Sequence, residues 1–412
     1  MKRDSWLTLF FVALLLTGVF TQISPVTFLA LAVGLILLAG RMWAQAAARH
    51  IRYEHAAIPR RCMTGDDLKL QVQLDNPTVL PLPWIEVTDL VQHRGFHLTG
   101  VASQHRRHRQ RLIIRTGLAW YQRIRRTYTA RVTARGFYPV GPTTIRIWDP
   151  LGLTFSELRV TSRESILVYP ITIPLEDLGV AADDPFGDPE HQRWLFRDPF
   201  SVAGARPYEA GDPVRHIHWP ATAAAGELMT RQMEGIRSPE MLLFANLRTM
   251  ERAWQGAVTE FLELTLCAAA SVARYGSRRG YRLGLYSNGN LHKEGRDESA
   301  PRLQADPSSD PRQLRKILSM LAQSAPHASR PLEHILRRYA AESYGASLVI
   351  ISALLTENLQ AEIERLARDG HAVTLLYTGD PPGPNVPGVR CHTLGGKRRW
   401  EEIANQWGHS VE

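Results

Sequence analysis

SLVIIS, Ser347–Ser352, is a short continuous apolar run, the pattern of a strand buried on both faces. Upstream, MLLFA at 241–245 and YRLGLY at 281–286 read the same way, and downstream so does AVTLLY at 372–377. Helical patterns lie between and after these strands, at 253–275, 311–323, 331–344, 357–368 and 399–407. In the first of them Ala257, Phe261, Leu264 and Ala268 fall on one stripe. Pro311 and Pro331 stand near helix starts, where a missing backbone donor costs nothing. Ser287-Asn288-Gly289 reads as the end of the second strand, and Asp369-Gly370 closes the fourth helix. The alternation predicts an α/β domain over 238–412, with a mostly parallel sheet covered on both faces. Ligands on such sheets sit outside the carboxyl ends of the strands. There is no GxxxxGK[ST] and no strand followed by GxGxxG, so the chain has no ATP site of its own. Gly395-Gly396, before Lys397-Arg398-Arg399, is a lone turn signal.

Upstream the period changes. Leu68, Leu70, Val72 and Leu74 alternate with Lys69, Gln71 and Gln73, as in a half-buried strand. Asn76-Pro77 ends it, and further strands read at 84–88, 112–114 and 127–133. Arg135-Gly136, Gly141-Pro142 and Asp149-Pro150 punctuate the series. Short strands at this spacing predict a β-sandwich-like domain over 52–165. A connecting segment, 166–237, joins it to the α/β domain.

The first 45 residues differ again. No charged residue lies between Asp4 and Arg41, a window of 36 residues. Two apolar runs fill it, LTLFFVALLLTGVF at 7–20 and VTFLALAVGLILLAG at 26–40, with Pro25 between them. One helix through all of it would span about 54 Å, against roughly 30 Å of hydrocarbon. A transmembrane helical hairpin over 1–45 fits better. A cleaved signal peptide or a single anchor is the alternative, with Lys2 and Arg3 as the signal's basic start, but no small-x-small cleavage site follows. Lys2 and Arg3 precede the first run, and Arg41, Arg49, Arg52, Arg60 and Arg61 follow the second. Basic flanks stay cytoplasmic, so both ends and the whole body are expected there, on a two-pass anchor in the inner membrane.

Composition sets the outer limits. Hydrophobic residues are 44% and charged residues 22% of the 412, which excludes a disordered chain, a collagen-like repeat and a polytopic transporter. Cys62, Cys267 and Cys391 are too few and too far apart for a disulfide framework or a cysteine zinc site. Net charge is +9, and residues 41–165 hold 20 Lys/Arg against 9 Asp/Glu. The densest run is HRRHRQR at 105–111. With no zinc finger, helix-turn-helix or RNA-binding signature beside it, this is read as a basic face toward anionic lipid, not a nucleic-acid site.

The most unusual stretch is RPYEAGDPVRHIHW at 206–219, which gathers Arg206, Tyr208, Gly211, Asp212, Arg215, His218 and Trp219. It resembles the signature of domain-of-unknown-function family 58. ARGFYPVGPTTIRIWDPLGL at 134–153 looks like that family's RG-Y-x-x-GP…DPFGL segment, and ILVYP at 166–170 like the strand before its signature. The sequence departs from the family at Pro220 and Ala224, where basic residues are usual. The resemblance implies a C-terminal von Willebrand factor A-like domain and a MoxR-type AAA+ ATPase as partner. A magnesium-binding domain of that type carries Asp-x-Ser-x-Ser after its first strand. Here the matching stretch is Ala245-Asn246-Leu247-Arg248-Thr249, and Ala353 takes the place of a further Asp. The resemblance therefore implies a degenerate metal site, since magnesium needs hard oxygen ligands.

The residues themselves leave two classes of function. His216 and His218 share a face if extended, but two histidines are too few for a metal. Asp183, Asp184, Asp188 and Glu190 lack calcium-loop spacing and read as a solvated loop. Cys267 falls in an apolar helix and reads as core. Within the signature, a polar turn is expected: Gly211 at positive φ, Asp212 capping it or pairing with an arginine, Trp219 buried. No nucleophile accompanies Asp212 and His218. A membrane-anchored scaffold or adaptor without cofactor or catalytic residues is the favoured reading, and a hydrolase-like enzyme using the Asp212/His218 region is the alternative.

Overall fold

The computed structural model describes residues 12–13, 16–17, 24–92, 95–99, 103–106, 109–161, 164–180, 186, 197–209, 212, 214, 217–235, 239–251, 255–291, 302–328, 330–340, 343 and 345–407. They form two compact units, Met1–Val168 and Tyr169–Glu412.

The first unit opens with α1 (Ser24–His50), whose Pro25 sits in the first turn, where no donor is needed. Its stretch Thr27–His50 has a mean hydropathy of 1.8 and is the one helix long and apolar enough to cross a membrane among the described residues. Of the first apolar run, the described residues are Val12, Ala13, Leu16 and Thr17, all helical; the rest, and the paired helix expected there, lie outside them. Phe28, Leu31, Leu35 and Leu38 are exposed, whereas Ala44, Ala47 and Ile51 are buried against the β body. The helix leaves that body at Gly40, where a Cβ would lie 2.3 Å from Asp149 Oδ2.

Eleven strands follow: β1 (Arg52–Ile58), β2 (Arg61–Met63), β3 (Asp67–Asp75), β4 (Leu82–Gln92), β5 (Phe96–Thr99), β6 (Ser103–Arg106), β7 (Arg109–Leu118), β8 (Arg123–Val132), β9 (Gly136–Trp148), β10 (Phe155–Val160) and β11 (Ser165–Tyr169). One sheet has the order β1-β3-β8-β5; the other runs β2-β11-β9-β4-β7-β6, with β10 also on β9. Their inner faces share one core, with Leu68, Leu70, Val72 and Leu74 from β3 and Ile85, Ile114, Ile145 and Ile147 from the second sheet. The period-2 pattern of β3 is what turns those four side chains inward. Asp89 on β4 is a carboxylate buried between the sheets, and it accepts hydrogen bonds from the hydroxyls of Tyr53 and Thr143. The basic run 105–111 has its side chains outside the described residues.

The second unit begins with buried Ile171, Ile173, Leu175 and Leu178. A hairpin, β12 (Arg197–Pro207) with β13 (Met229–Gly235), carries α2 (Trp219–Ala225) in its connection. The α/β sheet follows: β14 (Glu240–Asn246), α3 (Thr259–Arg278), β15 (Arg282–Leu291), β16 (Arg302–Ser308), α4 (Gln313–Ala322), β17 (Ser324–Ala328), α5 (Leu332–Tyr339), β18 (Ser347–Ser352), α6 (Glu357–Arg368), β19 (Ala372–Tyr377), β20 (Arg390–Thr393) and α7 (Gly396–Gln406). Strand order is β16-β15-β14-β18-β19-β20, with β14, β15, β18, β19 and β20 parallel and β16 antiparallel.

Two sequence expectations need correction here. The strand read as ending at Ser287-Asn288-Gly289 continues to Leu291, because Asn290 pairs with Arg302 on β16 and Gly289 and Leu291 pair with β17. Gly395-Gly396 is more than a turn. Both residues have positive φ, and Gly396 opens α7 against Asp380, whose Oδ1 a Cβ would meet at 2.1 Å.

Candidate functional site

Strand order reverses between β15 and β18 on either side of β14, so the carboxyl ends of β14 and β18 form the switch point where α/β sheets bind ligands. Asn246 ends β14 and stands in register with Ser352, which ends β18. Asn246 Nδ2 donates to Ser352 Oγ at 2.9 Å, and its Oδ1 accepts from Asn288 Nδ2 at 2.7 Å and from Arg248 N at 3.1 Å. Asn288 Oδ1 accepts from Leu247 N at 2.8 Å, and Ser352 Oγ donates to Leu354 O at 2.5 Å. Thr249 Oγ1 accepts from Val258 N at 2.8 Å. All four side chains are buried.

The arrangement is neutral, and each of its oxygens serves a protein donor or donates itself. A divalent cation needs several free oxygens and negative charge. Ala245 and Ala353 supply neither. The near carboxylate Asp380 is taken by the α7 N-terminus, accepting from Lys397 N at 3.0 Å. These residues do not fit a metal. They stitch β14, β15 and β18 together.

The signature lies apart from this point, on the β12–β13 hairpin. Arg206 Nη2 donates to Asp212 Oδ1 at 2.7 Å, Glu209 N to Asp212 Oδ2 at 3.1 Å, and Tyr208 OH to Asp212 O at 3.3 Å. The Glu209 N–H and the Arg206 guanidinium, with a contribution from Thr230, hold the Asp212 carboxyl below its ordinary range. His218 N donates to Met229 O at 2.7 Å, and His218 Nδ1 accepts from Ala221 N at 3.1 Å as the N-cap of α2. The hydroxyl of Thr222 accepts from Met229 N at 3.0 Å, tying α2 to β13. Asp212 and His218 are thus each engaged in holding the turn, in separate hydrogen bonds. Gly211, Arg215, His216 and the acidic group Asp183, Asp184, Asp188 and Glu190 lie outside the described residues.

Trp219, expected in the core, is 63% exposed. No residue of α2 is buried. The helix is held by its cap and by Thr222, so its first ring is left facing solvent. Val214 and Leu228 are exposed as well. Cys267 is core as expected, with burial pushing its thiol up to about 12. Sequence reasoning missed Asn288: nothing in Ser287-Asn288-Gly289 distinguishes a stitch from a strand end.

Residues 204–398 match the model of a family described as "Protein of unknown function DUF58", in agreement with the resemblance carried by the signature. No curated protein matches the chain. Among solved structures, it is similar to the native conformation of E. coli alpha-2-macroglobulin, at 15% identity and a TM-score of 0.22, covering 29% of this chain and 9% of that one. It is also similar to a cohesin module of a Clostridium perfringens glycoside hydrolase, at 7% identity and a TM-score of 0.21, covering 29% of this chain and 96% of that one. A CARDB domain from Pyrococcus furiosus is similar at 11% identity and a TM-score of 0.18, covering 29% and 91%. Likeness at this level carries no argument about what the chain does.

Proposed function

We propose that the chain is a membrane-anchored, cytoplasmic adaptor that docks a protein through the exposed Trp219 face of its signature hairpin. The observation behind this reading is that Trp219, Val214 and Leu228 stand exposed beside a turn fixed by the Arg206–Asp212 pair. Tryptophan on a pre-organised surface is the residue type that dominates protein interfaces. The saturated switch point, whose neighbouring carboxylate Asp380 is engaged by the α7 N-terminus, speaks for a binding module over an enzyme.

The α/β unit reads as von Willebrand factor A-like with a degenerate metal site. Its strand order, a parallel sheet with β16 and β17 antiparallel on β15 at one edge, supports this. The partner class, a MoxR-type AAA+ ATPase, comes from the family resemblance alone. The anchor is a two-pass hairpin of which α1 is the second span, placing both termini in the cytoplasm. The test is co-purification of the full chain with such an ATPase from detergent-solubilised membranes. Capture by the natural chain and its loss in Trp219→Ala would support the reading; equal capture by both would sink it.

A further inference from the structure

The β9–β10 turn, Asp149 to Thr154, sits where α1 leaves the body. Asp149 is buried, and its carboxylate accepts from Leu153 N at 2.8 Å, Thr154 N at 3.2 Å and Thr154 Oγ1 at 3.1 Å. Gly152 takes φ +67 and donates to Asp149 O at 3.0 Å. The turn is therefore rigid, yet it points two leucines outward: Leu151 is 65% exposed and Leu153 40%. The DPLGL sequence that forms it has no part in the signature hairpin.

Behind the turn the outer face of the sheet is layered. Trp84, Trp148 and Phe155 stand side by side across β4, β9 and β10. Their rings are 6.2 Å and 5.8 Å apart, and Trp84 is largely exposed. Two residues further along each strand comes the row Glu86, Arg146 and Glu157, joined by Arg115. Arg115 meets Glu86 at 2.9 Å and Arg146 meets Glu157 at 3.2 Å. Two residues of strand rise separate the rows by roughly 7 Å. Moving away from the helix exit, the surface thus passes from aliphatic to aromatic to ion-paired. A bilayer imposes that gradation with depth, placing tryptophan at the headgroup level and charges beyond it. A protein interface also grades from apolar core to polar rim, but as rings around a centre, whereas here the three layers are successive rows running away from the apolar helix.

We propose that Leu151 and Leu153 of this turn enter the bilayer interface beside α1, with Trp84 and Trp148 at the headgroup level, so that the β body is seated on the membrane and not merely tethered to it. The inference rests on the reading of α1 as a membrane helix.

The test uses the full chain with Cys391 replaced by serine, leaving Cys62 and Cys267 buried. An environment-sensitive fluorophore is placed at Leu151→Cys on the turn, at Leu31→Cys on α1, or at Phe137→Cys. All three sites are exposed. Phe137 lies eleven residues before Trp148 on β9, about 36 Å along the strand. Each protein is reconstituted into phosphatidylcholine–phosphatidylglycerol vesicles with or without brominated acyl chains. The expected result is loss of fluorescence at 31 and 151, with 137 unchanged. Quenching at 31 without quenching at 151 would overturn the seated body while leaving the anchor. Absence of quenching at 31 would overturn the anchor and the proposal with it. Equal quenching at 151 and 137 would also overturn the proposal, because lipid would then not distinguish the two ends of the sheet.

Discussion

Arg206 and Asp212, six residues apart, close the mouth of the signature hairpin through a 2.7 Å hydrogen-bonded ion pair. Asp212 titrates below the ordinary carboxylate range, first because of the Glu209 N–H and then because of Arg206. Its folded pKa is depressed, so the contribution is present above the unfolded value and is lost as pH falls through the lowered one. Acidification is expected to lower the protection factors of the Glu209 and Asp212 amides, that is, exchange corrected for its intrinsic pH dependence, before the unit melts. Arg206→Ala should produce the same local opening at neutral pH, and protection factors unmoved by either change would show that the pair holds nothing.

Trp219→Ala should change stability by less than about 1 kcal/mol, as expected for a surface site. A loss of about 3–5 kcal/mol in a denaturant melt, the cost of removing a core aromatic, would mean the ring is buried after all.

His218→Asn keeps a side-chain acceptor at the α2 N-cap, whereas His218→Ala removes it at a cost of about 1 kcal/mol. For an adaptor, the asparagine variant should capture its partner and restore function in a deletion strain. Full partner capture without restored function would revive the enzyme reading, since asparagine cannot serve as a proton-transfer base.

At the switch point, Asn246→Ala strands the Asn288 amide and the Arg248 N–H. Each buried orphan costs about 1–3 kcal/mol, so the α/β unit should melt visibly earlier. Magnesium should leave the melting temperature of the natural chain unchanged. Stabilisation that grows with magnesium and disappears in the variant would establish an ion at these residues.

Asp89 carries a different pH signature. Burial raises its pKa, and the hydroxyls of Thr143 and Tyr53 and the charge of His55 only partly offset this. Its folded pKa lies above the unfolded value, so its contribution is full below the unfolded pKa, about 4, and is lost as pH rises through the folded one. Asp89→Asn should be the more stable protein at pH 7 and lose that advantage below about pH 4. An advantage of equal size at both pH values would assign the effect to packing.

The strands were legible in proportion to how apolar they are. Ser347–Ser352 and Ala372–Tyr377 have the limits read from their sequences, because the first is buried throughout and the second at its four central positions. β20, with the sequence RCHT, shows no such run and was invisible although it joins the parallel sheet. The α3 helix begins at Thr259, later than its apolar stripe suggests, because Gly256 breaks the backbone at φ +83. The signature announced itself by composition, and the Arg206–Asp212 pair followed from charge. The exposure of Trp219 did not, since tryptophan is highly buried on average, whereas α2 is held by its cap and Thr222 and buries none of its residues.

Asn246 and Ser352 meet across 106 residues of chain. β14 is made first but completed late: its sequence-near neighbour β15 covers one edge, and the other waits for β18. Closing so long a loop slows folding. Until it closes, MLLFA presents an unpaired, fully apolar edge. A nascent chain released before residue 347 would keep that edge open, and such fragments should aggregate where the full chain does not.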